Sequence, residues 1–559
     1  MAHELVIKGG TVVDGTGAPG YAADVAVDGG RVTAIGADLD PDNTADQVLD
    51  AAGCVVAPGF IDIHTHFDAQ VFWDPALTPS CFHGVTTVVA GNCGFTIAPT
   101  RPEGRDLIAR TLENVEDMDY EVLAAGIPWD FETFPEYLES IQRRGVGLNW
   151  SAYVGHTAMR LYVMGEDAYE REATPEELTQ LQQVLRDSME GGAAGFATSF
   201  GMPHHGVDGK PVPSRLATKG ELDAMLDVMS EVGRGVVDLV PGPQCLPGDM
   251  AELQLRTGVP FTWGALLTHP SGGHVQTAAL MEQAWDDGAE VWAQVTPRPL
   301  TFQFTIAQPY PWNPNPVFAE LQTATLEERT AAYADPAWRA KAMDWWNTQS
   351  SGFGVRWDTF SIGDSEVHPE LMGASVAELA AERGTAPFDT LLDLAAEEPG
   401  LALRVKVVIA NDDTEWVGKL LQHEHTTLGL SDAGAHAGQL CDAAQATDLL
   451  GNWVRERGVL TVEQAVRKLS GLQADIFGFE DRGYLREGAW ADIAVFDPET
   501  VAPGPVRRVA DFPGGSERLT ADQVVGMRHV VVNGTPVVVD GAHTGVTDAG
   551  QLVKPGVRP

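Results

Sequence analysis

Between residues 58 and 479 the chain alternates strand-like apolar runs with helical stretches, a pattern that few folds satisfy. Eight strand candidates follow one another: GFIDIHTH, VTTVVAGNCG, GLNWSAYVGH, AAGFATSFG, GVVDLV, PFTWGALL, EVWAQVTP and TTLGLSDAG. Helical stretches such as 174–192 and 218–233 lie between several of them, each opening on a threonine N-cap ahead of an acidic first turn. Eight alternating β–α units in one block predict an α/β protein with a closed parallel (β/α)8 barrel of the TIM type.

The two ends of the chain have another texture. Residues 1–57 carry short β runs (ELVIKGG, TVVDG, DVAVDGG, RVTAIGA) broken by Gly-Gly and Asp-Gly turns, and 480–559 return to it in ADIAVFDP and HVVVNGTPVVVDG. A small β-sandwich domain built from both termini accounts for this. Inside the barrel, the stretch from about 297 to 405 is too long for a βα connection. We read it as a lid-like insertion after strand 7, with Phe302, Phe304, Tyr310 and Trp312 facing a bulky or apolar substrate group.

Charge excludes some partners. With 36 Lys+Arg against 79 Asp+Glu the formal net charge is −43, which repels nucleic acid and anionic membrane surfaces. No run reaches the length of a membrane span. The five cysteines (54, 81, 93, 245, 441) are sparse, without a CxxC pair. No basic-then-apolar leader opens the chain. These features lead us to expect a soluble, cytoplasmic protein acting on a small molecule, with homo-oligomerisation left open.

The chemistry concentrates in PGFIDIHTHFD. His64 and His66 are one residue apart on a strand, so both rings point to one face. Two imidazoles at the C-terminal end of a barrel strand can grip a divalent metal, typically zinc. An isolated HxH is a weak signal; its position at the first strand's end strengthens it.

PGFIDIHTHFDA, HGVTTVVAGNCGF, YVGHTAMR, GGAAGFATSFG and the closing ADIAVFDP…VVVNG together resemble the N-acyl-D-amino-acid deacylases of the amidohydrolase superfamily, in order and over nearly the whole length. The resemblance implies hydrolysis of a linear amide with His64, His66 and Cys93 (in GNCG) as metal ligands. It also implies Asp432 (in GLSDAGAH) as ligand and proton shuttle. The family's histidines on strands five and six are missing: Val240 and Ala265 stand there, unless His269 or Asp238 substitutes. One metal per chain, most simply zinc, is therefore expected.

The substrate anchor departs as well, with Leu267 in place of a lysine. Arg298 is a candidate replacement for binding a carboxylate, His156 for steadying an oxyanion, and His269 and His274 for lining the pocket. His204 and His205 are expected in solvent, and His423 and His425 on the structural face. Two alternatives stand beside the deacylase reading: a cyclic amide or imide hydrolase or deaminase on the same scaffold, and a non-catalytic binding protein.

Overall fold

Each of the eight apolar runs contains a strand of one parallel sheet in the computed structural model, which describes all residues except 1–2, 41, 43, 313–314, 323, 349–354 and 559. The strands are Phe60–Asp62, Val85–Ala90, Asn149–Gly155, Gly195–Ser199, Val236–Val240, Phe261–Trp263, Val291–Val295 and Thr426–Leu428, paired in sequence order. Below we number them as barrel strands one to eight. The first and last strands meet just past their C-terminal ends: Thr65 bridges Ala433, and His66 N–H donates to the Ala433 carbonyl at 2.7 Å. The barrel therefore closes at the residues expected to hold metal. Its interior holds Val89, Tyr153, Ala197, Val236 and Trp292, while Val88, Val154, Phe196, Leu239 and Phe261 on the alternate face pack against the surrounding helices.

The outer helices follow local rules. Pro175–Gly191 starts from Thr174, whose hydroxyl accepts from the Glu177 backbone while the Glu177 carboxylate returns to the Thr174 N–H. Lys219–Val232 starts from Thr218, whose hydroxyl accepts from the Glu221 N–H without a return bond. That glutamate is buried, and its carboxylate points into the barrel wall.

Both ends of the chain join one nine-stranded mixed sheet, in which Val55–Pro58 pairs with Leu5–Val12 on one side and Ile493–Phe496 on the other. The sheet folds back on itself around Leu5, Val25, Val32, Ile493 and Val531, giving the sandwich-like β unit the termini imply. At the fold Gly30, in the left-handed region, lies so close to Asn533 that a Cβ would come within 2.8 Å of its carbonyl oxygen.

The insertion after strand seven has its own architecture. Leu300–Thr305, Arg404–Ala410 and Phe360–Asp364 form a three-stranded antiparallel sheet with helices around it. Phe304 and Trp312, expected to face substrate, are buried instead in the insertion's own core with Phe318, Tyr333, Trp346 and Phe388. A segment of this length satisfies its apolar side chains internally before it can lend any to a cleft. Phe302, partly buried against the same core, also meets His436 edge-on with ring centroids 5.6 Å apart. The Tyr310 side chain lies outside the described residues.

Candidate metal centre

His64 and His66 extend the first strand beyond Asp62, and their rings stand 5.3 Å apart at the C-terminal mouth of the barrel. Cys93 arrives from the turn after strand two, in the left-handed region at φ 57°. Asp432 arrives from the loop after strand eight, also left-handed at φ 46°. Gly434 allows that loop to press against the first strand, because a Cβ there would sit 2.7 Å from the His66 carbonyl.

The distances fit one ion. His64 Nε2 lies 3.6 Å from Cys93 Sγ and 3.2 Å from Asp432 Oδ1, and His66 Nε2 lies 3.8 Å from that oxygen. Tetrahedral zinc with ordinary bond lengths separates neighbouring ligand atoms by roughly 3.3–3.6 Å. Among the described residues, His64, His66 and Cys93 form the one group of three such donors gathered within ligand reach. Two imidazoles, a thiol and a carboxylate, all buried or nearly so, make a donor set suited to zinc.

The electrostatics of the cluster fit the same use. Burial opposes charge on the two imidazoles, yet Cys93 and Asp432 around His64, and Glu116 and Cys93 around His66, raise both histidines well above their ordinary value. Burial likewise opposes ionisation of Asp432, but the hydrogen bond and charge of His64, with the charges of His66 and His436, hold it well below the usual carboxylate range. The negative groups that favour a proton on these imidazoles would equally favour a metal cation there.

Sequence reasoning missed the residues behind these donors. Glu116 ends the helix Arg105–Glu116, and its Oε1 lies 3.0 Å from His66 Nδ1. The next residue, Asp117, accepts from the Gly438 N–H, tying this helix end to the eighth-strand loop. Gln294, in the middle of strand seven, places Oε1 2.6 Å from His64 Nδ1. His436, four residues past Asp432, is half-buried on the same loop. A histidine so near the motif in GLSDAGAH was the one available signal; Glu116 and Gln294 look like ordinary helix and strand residues.

The other expected site residues fall elsewhere. His156 is fully buried, with Nδ1 against Thr198 Oγ1 and Nε2 against Glu221 Oε1, both at 2.8 Å. Arg160 completes the cluster by bonding both oxygens of Glu221 at 2.6 Å. With both ring nitrogens taken, His156 has no donor for an oxyanion, and that expectation is corrected. Arg298 is corrected likewise: its Nε donates to Asp442 at 2.7 Å, and Asp448 lies 3.5 Å from its Nη1, so its charge is already compensated. His269 meets Ser271 Oγ at 3.0 Å and its backbone N–H donates to His274, whose ring packs on Trp416. These contacts place His269 and His274 beside the base of the insertion, outside the metal group.

Asp238, a possible substitute ligand, spends its two oxygens on Cys93 N–H (2.9 Å) and Gln294 Nε2 (3.0 Å). His204, expected in solvent, is turned inward: Nδ1 lies 2.6 Å from Ser199 Oγ and its ring is edge-on to Phe95. Burial pushes it down to about 4. His205 is exposed. His425 stacks on Trp285 and His423 pairs with Glu282, away from the metal group.

A parallel barrel closed at a His-Cys-Asp cluster is the frame of a metal-centred enzyme. Residues 47–538 match the amidohydrolase family, and the chain belongs to it. It is 28% identical to a D-aminoacylase from Alcaligenes xylosoxydans xylosoxydans, covering 97% of this chain and 96% of that protein. An N-acyl-D-glutamate deacylase from the same organism is 30% identical, with 96% and 93% covered. Among solved structures, N-acyl-D-glutamate deacylase from Bordetella bronchiseptica, complexed with zinc and a phosphonate inhibitor, superimposes with a TM-score of 0.69 at 28% identity. That match covers 99% of this chain and 100% of the other. A D-aminoacylase described by its binuclear metal center, with one-metal activation and second-metal attenuation, follows at 0.67 and 27%, covering 99% and 100%.

Proposed function

We propose that this protein hydrolyses a linear carbon–nitrogen amide bond of a small molecule, using one divalent metal ion, most simply zinc, held by His64, His66, Cys93 and Asp432. The observation that carries the proposal is the near-tetrahedral spacing of these four donors where the barrel closes. Full-length relatives named as deacylases of N-acyl-D-amino acids give the reaction class. A single ion is favoured because Val240 and Ala265 offer no ligand and both oxygens of Asp238 are engaged. The relative with one-metal activation supplies a precedent for such a centre.

A divalent ion in this position supplies Lewis acidity, polarising the scissile carbonyl and making water acidic enough to give hydroxide near neutral pH. The chain supplies the rest. Asp432 takes the proton that water loses on attacking the amide carbon and passes it to the nitrogen as the carbon–nitrogen bond breaks. The products are a carboxylate and an amine. His436 and Phe302 flank the approach to Asp432 and meet the part of the substrate beyond the scissile bond. Arg298, neutralised by Asp442 and Asp448, is not available as the substrate's carboxylate anchor. The preferred amide is therefore less dependent on a free carboxylate than an N-acyl-D-glutamate.

The test is a panel of N-acyl-D-amino acids, their L-forms and N-acyl amines without a carboxylate, assayed on zinc-loaded protein together with metal analysis. Turnover of linear amides with about one zinc per chain is expected. A metal-loaded protein that hydrolyses cyclic imides but no linear amide would sink this reading.

A further inference from the structure

Four buried residues from four different barrel strands or the turns beyond them form a closed ring. His64 Nδ1 meets Gln294 Oε1 at 2.6 Å, and Gln294 Nε2 donates to Asp238 Oδ1 at 3.0 Å. Asp238 Oδ2 accepts the Cys93 N–H at 2.9 Å, and Cys93 Sγ returns to His64 Nε2 at 3.6 Å. All four are at most 8% exposed.

The direction of each bond follows from the chemistry of its neighbour. The backbone N–H of Cys93 can only donate, so it needs an acceptor. Asp238, as a carboxylate, only accepts, and therefore faces Cys93 on one side and the amide nitrogen of Gln294 on the other. With its nitrogen committed, Gln294 must turn its oxygen to the imidazole. His64 is then obliged to carry its proton on Nδ1, which leaves the Nε2 lone pair directed at Cys93 and Asp432. The same carboxylate thus holds the left-handed turn that delivers the Cys93 thiol and, through Gln294, selects the ligating nitrogen of His64.

We infer that Asp238 is the positioning residue of this centre: it aligns Cys93 directly and sets the tautomer of His64 through Gln294. The inference rests on the metal-centre reading above and extends it to residues that touch neither metal nor substrate. It also gives strands five and seven a part in the centre although neither supplies a ligand. An acceptor and a relay there organise the single ion's donors.

Reversing one polarity should break the chain of obligations, and reversing two should restore it. In Asp238→Asn the new side chain must offer its oxygen to Cys93 N–H, so its NH2 faces Gln294. The glutamine then turns its own NH2 toward His64, moving the imidazole proton to Nε2 and capping the ligating lone pair. Adding Gln294→Glu gives that introduced NH2 a carboxylate to donate to and returns an acceptor to His64 Nδ1. Shape and net charge of the pair match the wild type.

Zinc affinity is measured by competition with a chromophoric chelator on purified apo protein, with the apo thermal midpoint recorded alongside. D238N is expected to weaken zinc by roughly 10- to 100-fold. D238N/Q294E should recover to within a few-fold of wild type at a similar apo midpoint. Should D238N fail to fold, Gln294→Ala, which removes the relay while leaving Asp238 on Cys93, is expected to show a loss of the same order. A wild-type protein that takes up no zinc overturns the metal-centre reading and this inference with it. D238N binding as wild type, or a double variant no tighter than D238N, overturns the inference alone and leaves the metal centre standing. If D238N does not fold, wild-type affinity in Q294A likewise overturns it alone.

Discussion

Two buried charge clusters sit on the same barrel and have been arranged for opposite ends. In His156–Arg160–Glu221 the charges are matched within the protein: both imidazole nitrogens and both carboxylate oxygens are bonded, and a cation and an anion face each other. At the mouth, two imidazoles, a thiol and the Asp432 and Glu116 carboxylates crowd together, while His66 Nδ1 and Glu116 Oε1, though 3.0 Å apart, are out of line for a hydrogen bond. Asp68 nearby keeps a buried oxygen without a partner, and burial pushes its carboxyl up to about 7. A cluster whose cation and anion face each other is a structural strut; donors aimed at a common point are a receptacle. Charge type alone would not separate the two; the mouth leaves His66 Nδ1, Glu116 Oε1 and Asp68 Oδ1 without hydrogen-bond partners, and the strut leaves Arg160 Nε.

The sharpest way to break the comparison is at Asp432, the proposed proton shuttle. Asp432→Asn should cut amide turnover by roughly a thousandfold in steady-state assays of zinc-loaded protein, with little change in folding. Unchanged turnover would remove Asp432 from the reaction. Arg160→Ala should do the reverse. It leaves Glu221 buried without its guanidinium and is expected to cost about 3–5 kcal/mol in denaturant unfolding, while the folded fraction binds zinc normally.

Next in size is the pH response of the strut. Although burial opposes ionisation of Glu221, His156 and Arg160 hold its carboxyl down at about 2, against an ordinary 4.5. The unfolded chain therefore takes the proton first. This stabilisation is whole above pH 4.5 and is lost as the pH falls from 4.5 through 2, about 3 kcal/mol in all. His156, which burial pushes below its ordinary 6.5, adds a loss that begins as the pH drops past that value. Unfolding midpoints recorded between about pH 7 and 3 should fall accordingly, and Glu221→Gln should flatten the part below 4.5.

Smaller effects belong to the receptacle's supports. Glu116→Gln should weaken zinc by roughly 10- to 100-fold in chelator competition with little change in unfolding. His436→Ala should raise KM by roughly three- to tenfold and leave kcat and stability nearly intact. A loss of stability comparable to Arg160→Ala would reassign His436 to the strut class.

Much of the barrel was legible because its signal is repeated: eight apolar runs, capped helices and an HxH at the end of a strand all point one way. Cys93 and Asp432 were legible through short motifs beside turns. Asp238 in VVDLV stood out only as a substitute ligand and Gln294 in VWAQV not at all, because their roles arise only when strands one, two, five and seven are brought side by side. The insertion misled for a related reason. Phe304 and Trp312 look like substrate aromatics in sequence, but a separate core of their own absorbs them.

The nine-stranded sheet has a consequence for how the molecule is made. Val55–Pro58 emerges early from the ribosome, but its partner Ile493–Phe496 follows after roughly 430 more residues. At roughly 5–20 residues per second the N-terminal strands wait roughly 20–90 s with an unpaired edge. These early strands are thus among the last to be completed, and a product that ends before residue 493 carries an open β edge.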